Sequence, residues 1–142
     1  MPSLDNMMLR QIIMDHYENP RNHELVEDDS YKKVNMDSET CIDNIDIQAK
    51  IENGVIEDIR FDGEACAICT SSTSIMSELL IGKTIDEARV IIENYMNMIF
   101  EKDYDPEILE EAIAFYNTHK QANRIKCATL GWKGITQLID ES

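Results

Sequence analysis

Three cysteines and one aspartate stand out as residues that could bind a metal ion together. Cys41 lies in the sequence T-C-I-D, Cys66 in G-E-A-C and Cys127 in R-I-K-C-A, so the thiols come from separate parts of the chain. Asp43 adds a carboxylate two residues after Cys41. Three thiolates and one carboxylate complete a tetrahedral ligand set of the kind that Zn²⁺ accepts in proteins. Such a site forms only if the separate segments converge in the folded chain.

Cys66 and Cys127 both lie where the sequence predicts the beginning of a helix. Cys66 precedes the hydroxyl-rich run T-S-S-T-S, and Cys127 follows Arg124 and Lys126. Free backbone N–H groups and the positive end of a helix favour the thiolate form of a cysteine. The alternative for each cysteine taken singly is a small apolar residue packed beneath a helix start. For Asp43 the alternative is an ordinary turn aspartate.

A fourth cysteine, Cys69, forms a C-x-x-C motif with Cys66. A redox motif of this type is expected in a parallel βαβ unit, and a zinc knuckle needs a second C-x-x-C, which the sequence lacks. Cys69 follows Cys66 by about one helical turn. We therefore expect it to face the core or a neighbouring helix, outside the ligand set.

The histidines and most methionines are expected to have structural roles. His16, His23 and His119 have no ligand-like spacing to cysteines or acidic residues, and they are predicted on helix surfaces or in loops. The eight methionines fall mostly on helical faces, as Met96 and Met98 do, and are interpreted as core residues.

The charge balance limits the class of partner. The 142 residues include 13 basic and 28 acidic side chains, which give a formal net charge of −15. Such a chain cannot displace the counterions of a phosphate backbone, so nucleic-acid binding is not expected. The expected partner is a protein with a basic face.

Length and hydropathy predict one cytoplasmic domain over residues 1–142. No apolar stretch approaches the roughly 18 residues of a membrane span. The start, M-P-S-L-D-N, lacks the basic and apolar regions of a signal peptide. Structural disulfides are not expected in a reducing compartment, which favours metal binding or sulfur chemistry for the cysteines.

Apolar alternation predicts a β-hairpin in the first half of the chain. Apolar residues alternate with polar ones over 45–51, and Ile59 and Phe61 continue this pattern beyond Glu52-Asn53-Gly54. A three-residue loop with Gly54 in the left-handed conformation is favoured, because it sets Ile47 against Ile59 and Ile45 against Phe61.

Helical patterns flank this hairpin on both sides. Residues 4–18 have apolar side chains at helical spacing, Ser3 is a suitable N-cap, and Asn19-Pro20 ends the helix. From about Thr70 the pattern is helical to the end, in at least four pieces. A small antiparallel sheet followed by helices indicates an α+β domain.

Three later helix starts can be placed from local signals. Thr84 and Glu87 form a capping box, and Asp105-Pro106 supplies an N-cap and a first-turn proline for a helix over 106–117. The last helix is predicted to begin near Cys127. Its inward residues are expected to be Leu130, Ile135, Leu138 and Ile139.

The order of these segments resembles the U-type iron–sulfur cluster assembly proteins (the IscU/SufU, or NifU N-terminal-like, family), and within them the SufU branch. The resemblance covers nearly the whole chain. It rests on R-Q-I-I-M-D-H-Y-E-N-P-R-N at 10–22, T-C-I-D at 40–43, F-D-G-E-A-C at 61–66 and R-I-K-C-A-T-L-G-W-K at 124–133. It implies an α+β fold with a small antiparallel sheet of about three strands and five to six α-helices.

Two features favour the SufU branch. Members of the IscU branch, which hold a nascent cluster, have a histidine directly before the last cysteine, whereas this chain has Lys126. The stretch between Cys66 and Cys127 is also long, as in SufU-like proteins, where an inserted helical segment fills it.

The resemblance implies a zinc-bound sulfur acceptor that works with other iron–sulfur assembly proteins. Its direct partner would be a SufS-type cysteine desulfurase, which makes persulfide from free cysteine with pyridoxal phosphate. By matching motif positions, the zinc ligands would be Cys41, Asp43, Cys66 and Cys127. Cys41 would also accept the sulfur, and Arg124 would lie near the site.

Two alternatives remain open. The same cysteines could hold a transient iron–sulfur cluster on a scaffold, or zinc could be purely structural in an interaction module. The chain also departs from the family pattern, since Ile42 and Ala65 replace glycines that family members usually carry. Glycine permits backbone angles that isoleucine resists, so the loop around Cys41 and Asp43 is expected to be stiffer or differently shaped.

Overall fold

The computed structural model describes residues 6–38 and 42–141. Within these ranges one three-stranded antiparallel sheet is followed by helices, which confirms the predicted α+β class. The elements are α1 (Asn6–Glu18), β1 (Lys32–Asp37), β2 (Asn44–Glu52), β3 (Val55–Glu64), α2 (Ala67–Leu80), α3 (Ile85–Ile99), a long 3₁₀ helix (Pro106–Phe115), a short 3₁₀ helix (Thr118–Lys120) and α4 (Ala122–Asp140). The predicted helix over 4–18 is confirmed as α1, while its first residues and the proposed Ser3 cap lie outside the described residues.

The sheet has the strand order β1-β2-β3, and its inner face is apolar. Ile45, Ile47 and Ala49 of β2 are buried, as the alternating pattern predicted. Ile47 lies opposite Phe61, and Ala49 lies opposite Ile59. The hairpin is therefore confirmed, but the predicted register is wrong by two residues.

The hairpin loop also differs from the prediction. Glu52 pairs with Val55, so the loop has two residues, and both have positive φ: 54° at Asn53 and 74° at Gly54. These angles are typical of the tight turn that matches strand twist. The register shifts between Lys50 and Ile51, where Glu57 is the extra residue on β3. This bulge allows a two-residue turn and apolar pairing together.

α2 lies at the centre of the helical layer. It packs against α1 on one side and α4 on the other, while α4 also contacts β1 and β2. The close approach of α2 and α4 depends on Gly131, since a Cβ atom there would lie 2.4 Å from Thr73 Oγ1. Nearby, the fully buried rings of Tyr95 and Trp132 stack with their centroids 3.9 Å apart.

The local helix signals are confirmed more often than the helix lengths. Thr84 and Glu87 form the predicted capping box of α3, and Asp105 caps the segment that begins at Pro106. That segment is a 3₁₀ helix rather than the predicted α-helix over 106–117, and it is interrupted at Glu110, where φ is 46° and ψ is −123°.

The last helix begins at Ala122, so the predicted start near Cys127 is wrong. The first turn of α4 is exposed to solvent and therefore carries no apolar pattern that could have revealed it. The predicted inward face is confirmed, because all four of its residues are buried: Leu130, Ile135, Leu138 and Ile139.

The prediction that His16 lies on a helix surface is wrong, because its side chain is 0% exposed. The Nδ1 atom of His16 lies 2.8 Å from Ser74 Oγ on α2, so a polar partner compensates its burial. His23 is a partly exposed loop residue, as predicted. The side chain of His119 lies outside the described part of the structure.

Only some methionines fill the core. Met98 is buried and Met96 packs against the core, as predicted. Met7, Met8 and Met14 of α1 are instead exposed. In the described ranges 6–38 and 42–141, no helix has both the length and the apolar character needed to cross a membrane.

Candidate metal centre

Three of the four predicted ligands meet at one end of the sheet. Asp43 directly precedes β2, Cys66 lies between β3 and α2, and Cys127 lies in the second turn of α4. Each offers one ligand atom, and these atoms all lie within 4.8 Å of one another. Cys41, the fourth predicted ligand, lies outside the described residues.

Asp43 uses its two carboxylate oxygens differently. Its Oδ1 accepts a hydrogen bond of 2.7 Å from the backbone N–H of Cys66, which orients the carboxylate. Its Oδ2 lies 3.7 Å from Cys66 Sγ. Oxygen and sulfur ligands of one tetrahedral zinc ion are separated by about 3.6 Å, as follows from bond lengths of about 2.1 and 2.3 Å. The side chain is 0% exposed, so this oxygen faces the thiols and not bulk water.

Cys66 is held at a helix start, as the sequence predicted. It is the N-cap of α2, and its Sγ accepts a hydrogen bond of 3.4 Å from the backbone N–H of Cys69. Gly63 allows β3 to approach β2 here: its φ is 136°, and a Cβ would lie 2.3 Å from the Asn44 carbonyl oxygen. This close approach brings Cys66 beside Asp43. The helix N-terminus favours a thiolate at this position.

Cys127 has a different environment from the one predicted. It lies inside α4 and is buried, so no free helix N-terminus stabilises its thiolate. Burial, followed by hydrogen bonds with Asp43 and Cys66, raises the pKa of the Cys127 thiol far above its usual range. A bound cation reverses this effect, since it favours the deprotonated ligand.

The helix carrying Cys127 is fixed by buried hydroxyl groups. Ser72 and Tyr95 each donate a hydrogen bond of 2.7 Å to the carbonyl oxygen of Ala128, the residue after Cys127. Trp132 Nε1 donates to Ser72 Oγ at 3.0 Å. This network joins α2 and α4 directly beside the thiols. The hydroxyl-rich run after Cys66, which the sequence pattern marks as a helix start, supplies one of the donors of this network, Ser72.

Cys69 and Arg124 complete the comparison with the sequence. Cys69 is fully buried in the core, as predicted. Among the described residues it is not part of the cluster of Asp43, Cys66 and Cys127. Arg124 is exposed and precedes Cys127 by about one turn. It lines a cavity of about 480 Å³ whose other lining residues include Arg10 and Ile68. A role of Arg124 at the site stays a prediction.

The two departures at glycine positions have no backbone cost in this structure. Among the described residues, positive φ outside glycine occurs only at Asn22, Asn53, Glu101 and Glu110. Ile42 and Ala65 therefore adopt conformations that any L-residue accepts. The side chain of Ile42 is 68% exposed, next to the buried Asp43.

Comparison with known proteins adds an independent finding. The family model described as the NifU-like N-terminal domain matches residues 8–140. The chain is 39% identical over 129 residues to the zinc-dependent sulfurtransferase SufU of Bacillus subtilis, covering 90% of this chain and 86% of that one. It is 31% identical over 138 residues to the iron–sulfur cluster assembly scaffold protein IscU of Streptococcus pyogenes, covering 96% and 86%.

Two solved structures are similar to this chain over most of its length. The chain superposes on FiSufU of Fervidobacterium islandicum, described as an iron–sulfur cluster assembly scaffold protein for the SUF system, with a TM-score of 0.81 at 31% identity, covering 89% of this chain and 92% of that one. A NifU-like N-terminal protein from Brucella abortus matches with a TM-score of 0.78 at 22% identity, covering 93% and 94%. The second likeness concerns the fold alone.

Proposed function

Since the chain belongs to the NifU-like N-terminal domain family of iron–sulfur cluster assembly, we propose that it is a zinc-bound sulfur acceptor. Its sulfur would come from the persulfide of a SufS-type cysteine desulfurase. The observation that carries this proposal is the convergence of Asp43, Cys66 and Cys127 at one end of the sheet. The similarity to a zinc-dependent sulfurtransferase supports the choice of reaction.

The donor set fits zinc. Asp43, Cys66 and Cys127 offer two sulfurs and one carboxylate oxygen. Cys41, two residues before Asp43 in the sequence, would supply the third sulfur. A closed site of this composition is typical of tightly held zinc. When bound, zinc keeps the thiols deprotonated and protects them from oxidation. Metal binding is also expected to stabilise the fold, because it ties β2 to α2 and α4.

The transfer itself is a thiol exchange at the outer sulfur of the desulfurase persulfide. The thiolate of Cys41 attacks that sulfur, and a new S–S bond forms. The S–S bond of the desulfurase persulfide breaks, and the desulfurase cysteine leaves as a thiolate. Cys41 then carries the persulfide, with no net oxidation or reduction. Asp43, two residues after Cys41 in the sequence, accepts a hydrogen bond from the backbone N–H of Cys66 and so ties its own part of the chain to the other ligands.

A cluster scaffold is the second candidate. The similarity to IscU of Streptococcus pyogenes over 96% of this chain favours it. In that role the three thiols would hold iron and sulfide as cargo. Lys126 directly before Cys127, in place of a histidine, favours the sulfur acceptor. Protein purified without oxygen would be coloured if it carried a cluster and colourless if it carried zinc.

The decisive experiment measures desulfurase turnover with cysteine variants, beside zinc content and thermal melting. Cys41→Ala is expected to abolish stimulation while much of the fold and zinc survives, because three ligands remain. Cys66→Ala and Cys127→Ala should lose zinc and stability together, because these two cysteines are the ligands that tie the β3–α2 junction and α4 to the metal. Cys69→Ala is the matched control, since this buried cysteine lies outside the ligand group. Full stimulation by Cys41→Ala would overturn the sulfur-acceptor proposal.

A further inference from the structure

A second group of ligand-type side chains lies away from the thiols, around the buried imidazole of His16. The side chain of His16 is 0% exposed. Its Nε2 lies 3.4 Å from Glu111 Oε1 and 3.8 Å from Glu78 Oε1. The carboxylates belong to the long 3₁₀ helix and to α2, and both are about half exposed, at 51% and 47%. One buried nitrogen and two accessible carboxylates therefore face one another.

The other ring nitrogen of His16, Nδ1, has a hydrogen-bond partner on α2. Nδ1 lies 2.8 Å from Ser74 Oγ, which also accepts a hydrogen bond of 2.8 Å from the backbone N–H of Arg21. When Nδ1–H donates to Ser74, Nε2 presents its lone pair to the two carboxylates. A metal-bound histidine is oriented in the same way, by a hydrogen bond from its second ring nitrogen.

The distances suit an ion between the groups better than direct contact. A charge-assisted N–H···O bond is about 2.7–2.9 Å long, and both separations from Nε2 exceed this. Two ligands of one tetrahedral ion, each at about 2.1 Å, lie about 3.4 Å apart. The three ligand atoms of His16, Glu78 and Glu111 all lie within 4.8 Å of one another.

The surroundings are open and acidic. Glu78, Glu110 and Glu111 line a cavity of about 180 Å³ beside Ile75 and Leu79. One guanidinium approaches, with Arg21 Nε 3.6 Å from Glu78 Oε1. Arg21 has a shorter ion pair with Asp15, at 2.7 Å, which offsets its charge. Because Arg21 is shared with Asp15, it neutralises these carboxylates only in part, and the open cavity leaves room for water ligands.

We propose that His16, Glu78 and Glu111 form a second metal site, which binds a divalent ion that accepts mixed nitrogen and oxygen ligands, such as Mn²⁺, Fe²⁺ or Zn²⁺. Cys66 and Glu78 are twelve residues apart on α2, a separation of about 18 Å along the helix axis. The site is therefore separate from the cluster of Asp43, Cys66 and Cys127, and it rests on no assumption about sulfur transfer. The competing explanation is an ion pair between protonated His16 and the two carboxylates.

Mn²⁺ binding to the full chain with zinc already bound tests the proposal, because Mn²⁺ prefers oxygen and nitrogen ligands to thiolates. Electron paramagnetic resonance detects free Mn²⁺, so the loss of its signal measures binding. The titration should show one saturable site per chain. Glu111→Gln and Glu78→Gln should each weaken binding by more than about tenfold, the cost of losing even an outer-shell partner. Glu93→Gln is the matched control, since Glu93 is an exposed carboxylate on α3. It should bind Mn²⁺ as the parent does.

A second readout identifies the histidine without changing it. In protein labelled with ¹⁵N-histidine, bound Mn²⁺ should broaden the ring resonances of His16 strongly, and Glu111→Gln should remove this effect. Both glutamate variants alter half-exposed side chains, so folding is preserved for the comparison. Absence of a saturable Mn²⁺ site, equal binding by the variants, or an unaffected His16 resonance would each overturn the proposal and leave direct contact between His16 and the two carboxylates as the explanation. None of these measurements involves a desulfurase.

Discussion

At the scale of single residues, Asp43 combines an orienting role with a ligand role. One oxygen accepts the backbone N–H of Cys66, and the other faces Cys66 Sγ. Asp43→Asn separates these roles, because the amide keeps an acceptor for the backbone bond and loses the charged ligand. Zinc affinity should fall by roughly tenfold or more, with little change in the melting temperature of the zinc-saturated protein. Competition with a chromogenic chelator measures the affinity.

The control for this substitution is Glu64→Gln, which removes an exposed charge at the nearby end of β3. It should retain zinc as the parent does. If Asp43→Asn also retained zinc with unchanged affinity, the carboxylate would be an orienting group only, and the ligand set would have to be completed elsewhere.

The residue types in the sequence indicated the cluster of Asp43, Cys66 and Cys127, but they did not indicate that His16 is buried. Cysteine and aspartate in three short motifs indicate a metal site wherever they converge, because few other roles suit that combination. Burial of a histidine depends on a partner distant in sequence, and Ser74 lies 58 residues away. The available signal was the run of small hydroxyl residues in α2, which permits close packing and supplies polar partners.

At the scale of elements, the crossing of α2 and α4 positions the thiols. Cys66 lies at the start of α2 and Cys127 in the second turn of α4, and the helices touch where Gly131 faces Thr73. Gly131→Ala would force them apart and should cost about 1–3 kcal/mol of unfolding free energy. Zinc affinity should decrease with it. Denaturant unfolding of zinc-bound protein measures the first effect and chelator competition the second.

Lys133→Ala, an exposed change on the same helix, is the control for Gly131→Ala. Thr73→Ala provides a further check, because it removes the Oγ1 atom that the new methyl group would meet, and this atom has no hydrogen-bond partner among the described residues. The double variant should lose less stability than the sum of the single ones. Strict additivity would show that the two residues are not in contact.

Elements were predictable where the signal is local. The capping box at Thr84 and the N-cap at Asp105 depend on residues a few positions apart, and both are confirmed. The hairpin register was missed because a bulge at Glu57 changes the pairing without changing which face is apolar. The 3₁₀ helix and its break at Glu110 depend on packing against α1, α2 and α3, which the sequence pattern does not reveal.

At the scale of the whole molecule, the cluster of Asp43, Cys66 and Cys127 forms only when distant parts of the chain come together. Its described ligands come from the start of β2, the junction of β3 and α2, and α4, so no local segment contains it. The family match extends over residues 8–140, which includes all of these elements. The organisation as one domain over 1–142 stays a prediction. The resemblance supplied the connection to sulfur transfer, since spacing alone left scaffold and structural roles open.

The net charge of −15 predicts how the protein would associate with the proposed desulfurase partner. Charged side chains are distributed over the surface, so a basic face on the partner would be attracted from a distance and association would be accelerated. Added salt shortens the screening length from about 10 Å at 0.1 M to about 3 Å at 1 M. The dissociation constant should therefore rise across this range, mainly through a slower association rate. Surface plasmon resonance with immobilised desulfurase separates the two rates.

Zinc content and melting temperature at each salt concentration provide the control, because a loss of metal or fold would mimic weaker binding. If salt changed only the dissociation rate, its effect would come from short-range contacts at the interface and not from long-range electrostatic attraction. Salt-independent binding would contradict the electrostatic prediction and indicate an apolar interface. In that case the interface would cover the side chain of Ile42, which is 68% exposed and directly precedes Asp43. Electrostatic attraction therefore predicts binding that weakens as salt is added, whereas apolar contact predicts binding that salt does not weaken.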